Sequence, residues 1–443
     1  MKEENSIFQD STKMSKPNER INIYSGKFNI MHDDYADEID GYIYFKWLPY
    51  NGVYFEGTLV SHSFDLLFLS EVEVKVDGST FQASILESKS SSDSNKSFLY
   101  GSLKDVFQGD KKVKVQKVRF SLTNFRGLRG NKSIKVHEDS CPNRIEINDE
   151  KYIITIDKFI DFDSRKRSVQ NDGGYIITHC GEIVAKKGLL PFNEVEKLTK
   201  KLHYFLTFIN GRRVSLTFLK GIGLNNSVVW EDYPCYLNAQ DKSVLCWASE
   251  IDVAFQINLL WENFNSIWST DESRDVLKTA IHWFVEANSN SGLAEGALII
   301  SQTALELLFN WMIVEDKGII KGSGAYGLDA SNKVRLLLST MNISTDIPRE
   351  MNVLTKYTKG RATKDGPEIL VELRNWLVHD KQKSRNEFKK IDPSIYIHAS
   401  RLSIWYVELA LLKMLGFNGK YVNRCKLSSE SGGIEFVPWS NQK

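Results

Sequence analysis

Between Gly41 and Val60 the chain reads G-Y-I-Y-F-K-W-L-P-Y-N-G-V-Y-F-E-G-T-L-V, apolar and polar side chains alternating on either side of a break near Pro49 and Gly52. A period of two sends neighbouring side chains to opposite faces, so this stretch predicts two strands joined by a turn. The pattern continues through D-L-L-F-L-S-E-V-E-V-K-V-D-G (65–78), where Val72, Val74 and Val76 share a face. K-V-K-V-Q-K-V-R-F (112–120), K-Y-I-I-T-I-D (151–157) and R-V-S-L-T-F (213–218) have the same β-branched character. Polar spacers such as S-K-S-S-S-D-S-N-K-S (88–97) separate them, and only P-F-N-E-V-E-K-L-T-K-K-L-H-Y-F-L-T-F (191–208) has the spacing of a helix. Residues 21–266 are therefore expected to form a β-rich region of one or two domains with little helix. The polar residues 1–20 precede it as a flexible end.

Near residue 268 the period changes to that of helices. Ser269 or Thr270 can cap a helix opening D-E-S-R-D-V-L-K, whose early acids suit its positive end. Further helices are expected over Leu293 to about Glu315 and over Asp329–Ser339. Asp365 reads as the cap of the next one, with Pro367 in its first turn and Glu368 completing a capping box. The last opens on Asp392 and Pro393 and stops at Gly416. The fold class is thus multidomain, with the β-rich region followed by an all-α bundle over 267–416. Residues 417–443 form a polar extension whose Tyr421, Phe436 and Trp439 predict packing against the bundle.

At 443 residues the chain is long for one core. Its net charge of +1 names no partner, so any basic surface must be local. From residue 271 onward 23 Lys and Arg stand against 20 Asp and Glu, and the densest basic run is K-Q-K-S-R-N-E-F-K-K (381–390). The five cysteines have no C-x-x-C pair, which argues against a disulfide framework and a zinc site. The first residues lack the pattern of a signal peptide, and no uninterrupted apolar run reaches spanning length. A reducing cytoplasmic setting without membrane contact is the expectation.

Immediately before the basic run stands E-L-R-N-W-L-V-H-D-K (372–381), a polar trio set in an apolar helical segment. Asn375 and His379 are four apart and share a helix face, while the long stem of Arg374 reaches the same edge. Leu373, Leu377 and Val378 are expected to hold the other side in the core. An imidazole that exchanges protons near neutrality, a guanidinium fork for a phosphate and an orienting amide suit cleavage of an RNA phosphodiester by its own 2′-hydroxyl. Such a scheme calls for no metal and no cofactor, and leaves a 2′,3′-cyclic phosphate. One histidine supplies half of a two-proton relay, so a symmetric dimer is an economical arrangement. On pattern alone, Arg374 paired with an acid and His379 in a structural hydrogen bond is an open alternative.

R-N-W-L-V-H, Arg374 to His379, resembles the R-x4-H signature of the HEPN superfamily of helical nucleases, in which a polar residue commonly follows the arginine. A β-rich region ahead of such a bundle, with G-T-L at 57–59, is similar to the ApeA family of bacterial anti-phage defence proteins. The resemblance implies a metal-independent endoribonuclease that dimerises through its bundle. Its target would be host RNA, tRNA among the targets, and a phage-derived protein sensed through the N-terminal region would trigger abortive infection. It also implies that His379 is the general acid or base, that Arg374 contacts the scissile phosphate and that Asn375 supports the site. Lys381, Lys383 and Arg385 are the candidate RNA-binding cations. A reading from another class makes the bundle a non-catalytic adaptor that binds nucleic acid or protein.

Glu306, among Leu305, Leu307 and Leu308, needs a cation such as Arg374 or Lys333 if it is buried, and would then support the site. His398, beside Arg401 on the last helix, borders the same region or is structural. Gly322, Gly324 and Gly327 spell G-x-G-x-x-G but follow a helix, so they read as a loop rather than a dinucleotide site. K-K-V-K-V-Q-K-V-R (111–119) reads as a strand with a solvated basic face, R-K-R (165–167) as a turn, and Cys425 has no base at readable spacing.

Overall fold

The computed structural model describes the chain apart from residues 1–6, 9–11, 34, 61–68, 92–95, 137–138, 235–238, 290–292, 322, 360–363, 379–385, 387–389, 428–431 and 442–443. It is multidomain, with a β-rich N-terminal region and a helical C-terminal region. The chain divides into two compact units, Met1–His203 with Val214–Lys242, and Tyr204–Arg213 with Ser243–Lys443.

The first unit opens with a closed six-stranded barrel, β1 (Ile21–His32), β2 (Tyr35–Lys46), β3 (Gly52–Leu59), β4 (Glu71–Val76), β5 (Ser79–Ser91) and β6 (Lys96–Leu103), ordered β1-β2-β3-β6-β5-β4. Closure comes from β1 meeting β4, Ile30 opposite Val74, which removes the free edges of an open sheet. Alternation fills the interior with Ile30, Ile39, Ile43, Phe55, Val72, Val74, Val76 and Leu99, all buried. Where Gly41 pairs with Gly57 the strands pass so closely that a Cβ on Gly41 would stand 2.0 Å from the Glu56 carbonyl oxygen.

An eight-stranded antiparallel sheet follows, containing β7 (Phe107–Gly109), β8 (Lys117–Thr123), β9 (Lys132–Val136), β10 (Asp139–Asn148), β11 (Tyr152–Lys158), β12 (Ile177–Ala185), β13 (Leu216–Ile222) and β14 (Val228–Asp232). Helix α1 (Phe162–Asp172) lies between β11 and β12, and α2 (Phe192–Asn210) between β12 and β13. A bulge between Thr217 and Lys220 leaves Phe218 at φ +54, a backbone region costly for a bulky residue. The Phe218 ring packs at 5.0 Å from Phe45 and 5.9 Å from Trp47, in the barrel's own core. Strain at one residue is offset by an aromatic cluster joining barrel and sheet.

Three expectations for this half are corrected. Residues 12–20 are not a frayed end: Met14 is buried in the barrel core and Arg165 donates to its carbonyl at 2.8 Å. R-K-R (165–167) lies inside α1, not in a turn, because Val169 supplies that helix with a buried anchor. The strand expected over 111–119 begins only at Lys117, where Glu182 pairs with Lys117 at 3.3 Å and with Arg119 at 3.1 Å.

The second unit contains α3 (Asp252–Trp268), α4 (Asp271–Ser289), α5 (Ala294–Phe309), the single turn α6 (Ser323–Tyr326), α7 (Ala330–Thr340), α8 (Asn352–Thr358), α9 (Gly366–Val378) and α10 (Pro393–Met414). A π-helical stretch, Asn310–Asp316, prolongs α5. The helical region therefore starts earlier than residue 267. Val253, Ile257, Leu260, Trp261 and Phe264 of α3 are core residues, and residues 204–213 at the end of α2 belong to this unit as well. Phe205 packs on Trp261 at 5.0 Å and on Phe264 at 5.3 Å. The caps expected at Asp365 and Asp392 are present, accepting from Glu368 N–H and Ser394 N–H, and Asp329 caps α7 by accepting from Asn332 N–H. Among the described residues Ala294–Asp316 is long and apolar enough to cross a membrane, with mean hydropathy 1.6, yet 56% of it is buried within the protein, as in a core helix.

The C-terminal extension packs back on this unit. It adds a small hairpin, β15 (Lys420–Val422) and β16 (Ile434–Phe436), and Trp439 donates to the Phe417 carbonyl at 2.7 Å.

Candidate functional site

Helix α9 carries the R-x4-H segment. Asp365 fixes its start by accepting from Glu368 N–H at 3.0 Å, and holds α7 alongside through a two-pronged pair with Arg335 at 2.8 and 3.0 Å. Ile369, Leu370 and Leu373 are buried and set the rotation of the helix. Gln302 of α5 clamps it further, donating to the Leu370 carbonyl at 2.5 Å.

With that rotation, Arg374 and Asn375 emerge half-buried at the edge of the unit. Arg374 Nη1 donates to Asn375 Oδ1 at 3.2 Å, so the amide steadies the guanidinium instead of competing with it. Leu377 is half-buried and Val378 exposed, whereas both were expected to anchor the helix; the anchor is shifted toward its N-terminal turns. An open pocket of about 310 Å³ adjoins Asn375, lined by Ser331, Glu368, Val371, Glu372, Asn375 and Trp376. Lys364 forms an ion pair with Glu372 there. His379, Lys381, Lys383 and Arg385 lie outside the described residues. The structure thus brings two of the expected site residues together.

Glu306 is exposed, and its carboxylate accepts from Lys333 Nζ at 3.2 Å. It is a surface partner of α7, not a buried support for Arg374. His398 is half-buried on α10, and its Nδ1 has no hydrogen-bond partner among the described residues. Burial, with Arg401 nearby, lowers its pKa and favours the neutral ring.

The buried acid that requires a cation is Glu408, on α10. Both its oxygens meet Arg424, with Arg424 Nε to Oε2 at 2.8 Å and Nη2 to Oε1 at 2.6 Å. Trp247 N–H donates to the same carboxylate at 3.1 Å, and Arg424 also reaches Asn288 Oδ1 at 3.1 Å. Deleting one partner of such a pair strands a buried charge, at about 3–5 kcal/mol. The signal was present in W-Y-V-E-L-A-L-L, a lone acid on an apolar helix, but the partner comes from the extension and has no fixed spacing. Cys425, next to Arg424, is buried, which pushes its thiol pKa upward and makes it an inert side chain.

Arg213 of the same unit donates through Nη2 to His282 Nδ1 at 2.7 Å and to Glu286 Oε1 at 2.8 Å, a half-exposed cluster on α4 that sequence spacing did not reveal. No group of three or more His, Cys, Asp or Glu suited to a metal ion occurs among the described residues.

Residues 110–244 match the family model described as the YopA central domain, and residues 270–435 the one described as the YopA C-terminal domain. A relative from Bacillus subtilis (strain 168), described as SPbeta prophage-derived uncharacterized protein YopA, is 28% identical over 441 residues and is matched over 96% of either chain. No solved structure matches.

Proposed function

We propose that this chain is a metal-independent endoribonuclease whose C-terminal helical unit is a HEPN-type domain. Carrying this reading is the Arg374–Asn375 hydrogen bond at the edge of α9, which orients a guanidinium against an amide that lines an open pocket. A fork fixed in this way binds a phosphate at low entropic cost and in one orientation. The sequence puts His379 four residues beyond Asn375, the spacing at which its imidazole serves the same face as acid or base. In the proposed reaction the ribose 2′-oxygen attacks the adjacent phosphorus and its proton passes to a base. The 5′-oxygen of the next nucleotide leaves and takes a proton, giving 2′,3′-cyclic phosphate and 5′-hydroxyl ends. Lys381, Lys383 and Arg385 supply positive charge along the RNA.

The wider setting belongs to the same proposal. A homodimer formed through the helical unit acts in the cytoplasm on host RNA, tRNA being a target, once the N-terminal region has met a phage-derived protein. The prophage origin of the relative fits a role in competition between phages within one host.

One observation favours a second reading. Glu368 and Glu372 line the pocket next to Asn375, and carboxylates repel a phosphodiester backbone. That suits a protein-binding adaptor better than an RNA groove.

Phage challenge of cells carrying wild type, Arg374→Ala or His379→Ala separates the two readings. The enzyme reading expects protection from wild type and its loss in both variants. It also expects RNA from challenged wild-type cells, or from purified protein with EDTA present, to carry cyclic-phosphate ends. Asn375→Ala is expected to retain a residual rate about tenfold lower, the scale of a lost orienting hydrogen bond. Equal protection by all three proteins, or intact RNA in protected cells, would remove the nuclease assignment.

A further inference from the structure

The pocket beside Asn375 takes Ser331 from α7 and the rest of its lining from α9. Glu368, Val371, Glu372, Asn375 and Trp376 stand at helical spacings of three and four, so they form one face of α9. At about 310 Å³ the pocket is at the small end of ligand sites, with room for a single flat base. Trp376 gives it an aromatic wall. Its two carboxylates differ: Glu372 is engaged by Lys364, whereas the Glu368 carboxylate accepts from no described residue and meets the charge of Arg335 only through space. Asn375 gives its carbonyl oxygen to Arg374, which leaves its amide N–H groups to donate.

We infer that this pocket binds the guanine base of an RNA nucleotide adjoining the scissile phosphate, stacked on Trp376, with Glu368 accepting from N1–H and N2–H and Asn375 donating to O6. A carboxylate repels a phosphodiester, yet it accepts two parallel N–H bonds from the edge of a base. Guanine alone sets two donors side by side with an acceptor next to them; adenine, cytosine and uracil each place an acceptor where the second donor is needed. Seven residues of helix separate Glu368 from Asn375 by about 10 Å along the axis, close to the width of a guanine edge with a hydrogen bond at each end. The inference rests on the nuclease reading for the phosphate and adds the base read beside it. Asn375 joins the two, because the amide that lines the pocket also holds the guanidinium assigned to the phosphate. Charge that speaks against a backbone groove thereby becomes a source of base selection.

Calorimetric titration of the full-length protein with the 3′,5′-bisphosphates of guanosine, adenosine, cytidine and uridine tests this without requiring cleavage. The guanosine compound is expected to bind at least about tenfold more tightly than the others, the scale of one bidentate base contact. Glu368→Gln, whose amide accepts through one atom only, should bring all of them within about twofold of one another. Trp376→Ala should weaken every compound about tenfold, and Trp376→Phe, which keeps a ring, less than about threefold. Equal binding of the bisphosphates by wild type overturns the proposal, as does a Glu368→Gln protein that keeps the guanine preference. Mapping the ends of cleaved RNA separates this proposal from the reading beneath it. Cyclic-phosphate ends with no guanosine enriched beside the cut overturn the RNA assignment and leave the nuclease standing; a free guanine nucleotide is then the ligand of any pocket that still prefers the guanosine compound. Guanine-selective binding by a protein that never cuts RNA supports the base pocket and removes the nuclease.

Discussion

At the residue scale, the most informative side chains are those whose environment opposes their charge. Asp232, half-buried at the end of β14, has its carboxyl pushed up to about 6, mainly by burial, with Glu196 and Asp105 adding to the effect against Lys111. An acid whose folded pKa exceeds its unfolded value favours the fold while protonated, and that contribution disappears as pH rises from about 4 through about 6. Asp232→Asn should therefore raise thermal stability at pH 7 by an amount on the order of 1 kcal/mol after allowance for its partial exposure, and change nothing at pH 3.5 to 4. Melting curves of the two proteins across that range check this; an Asn variant no more stable than wild type at pH 7 would contradict it. His179 is a contrasting case, buried between Phe125 and Phe162 with its pKa pushed down to about 3 by burial, so it stays neutral throughout. Glu306 and Glu408 show why acids on apolar helices were hard to sort by sequence. Both sit among leucines or valines, and only their angular position on the helix separates the exposed one from the buried one.

At the element scale, helix ends were legible because caps are local chemistry. Asp329, Asp365 and Asp392 each satisfy a backbone N–H two or three residues ahead, a contact written within one short stretch of sequence. Asp365 does more, since it also ties α9 to Arg335 of α7. Asp365→Ala should cost roughly 1–2 kcal/mol by loosening α9. Asp365→Asn keeps an oxygen for the cap and should lose less than half as much. Denaturant unfolding of the three proteins measures the difference, and equal losses would show that the ion pair alone matters. Elements depending on distant partners were misread. The 111–119 run has strand-like alternation, but the ladder to neighbouring strands reaches it from Lys117 onward, preceded by the isolated pairing of Val115 with Leu190 and the bond from Gln116 N–H to the Ile222 carbonyl. Helix α3 was absorbed into the β-rich region because the sequence does not show which of its two apolar rows, that of Trp261 or that of Phe255, is buried.

At the scale of the whole molecule, the chain runs from the first unit into the second at Tyr204, returns at Val214 and crosses again at Ser243. The second unit is therefore discontinuous. Phe205 and Phe208 complete its core against Trp261, Phe264, Trp247 and Phe284. A fragment of residues 243–443 lacks both rings, each a large-to-nothing change worth about 3–5 kcal/mol, which approaches the whole stability of a domain. It should be insoluble or molten, and 268–443, without α3, more so. Cooperative melting of either fragment at the temperature of the full chain would refute this. The behaviour of such truncations consequently does not test the proposed nuclease; substitutions at Arg374 and His379 in the intact chain do.

The sequence by itself determined the order of elements: alternating strands first, capped helices after about residue 268, and Arg374 and Asn375 on one late helix. Those features arise from interactions within a few residues, where propensity, periodicity and side-chain-to-backbone hydrogen bonds act. Tertiary structure alone decided that the strands close into a barrel and a separate sheet, that Glu408 finds Arg424 in the tail, that the end of α2 serves the helical unit, and that Phe255 is left facing solvent. Each depends on packing between residues far apart in the chain, and burial there is a property of the partner surface, which no local pattern encodes.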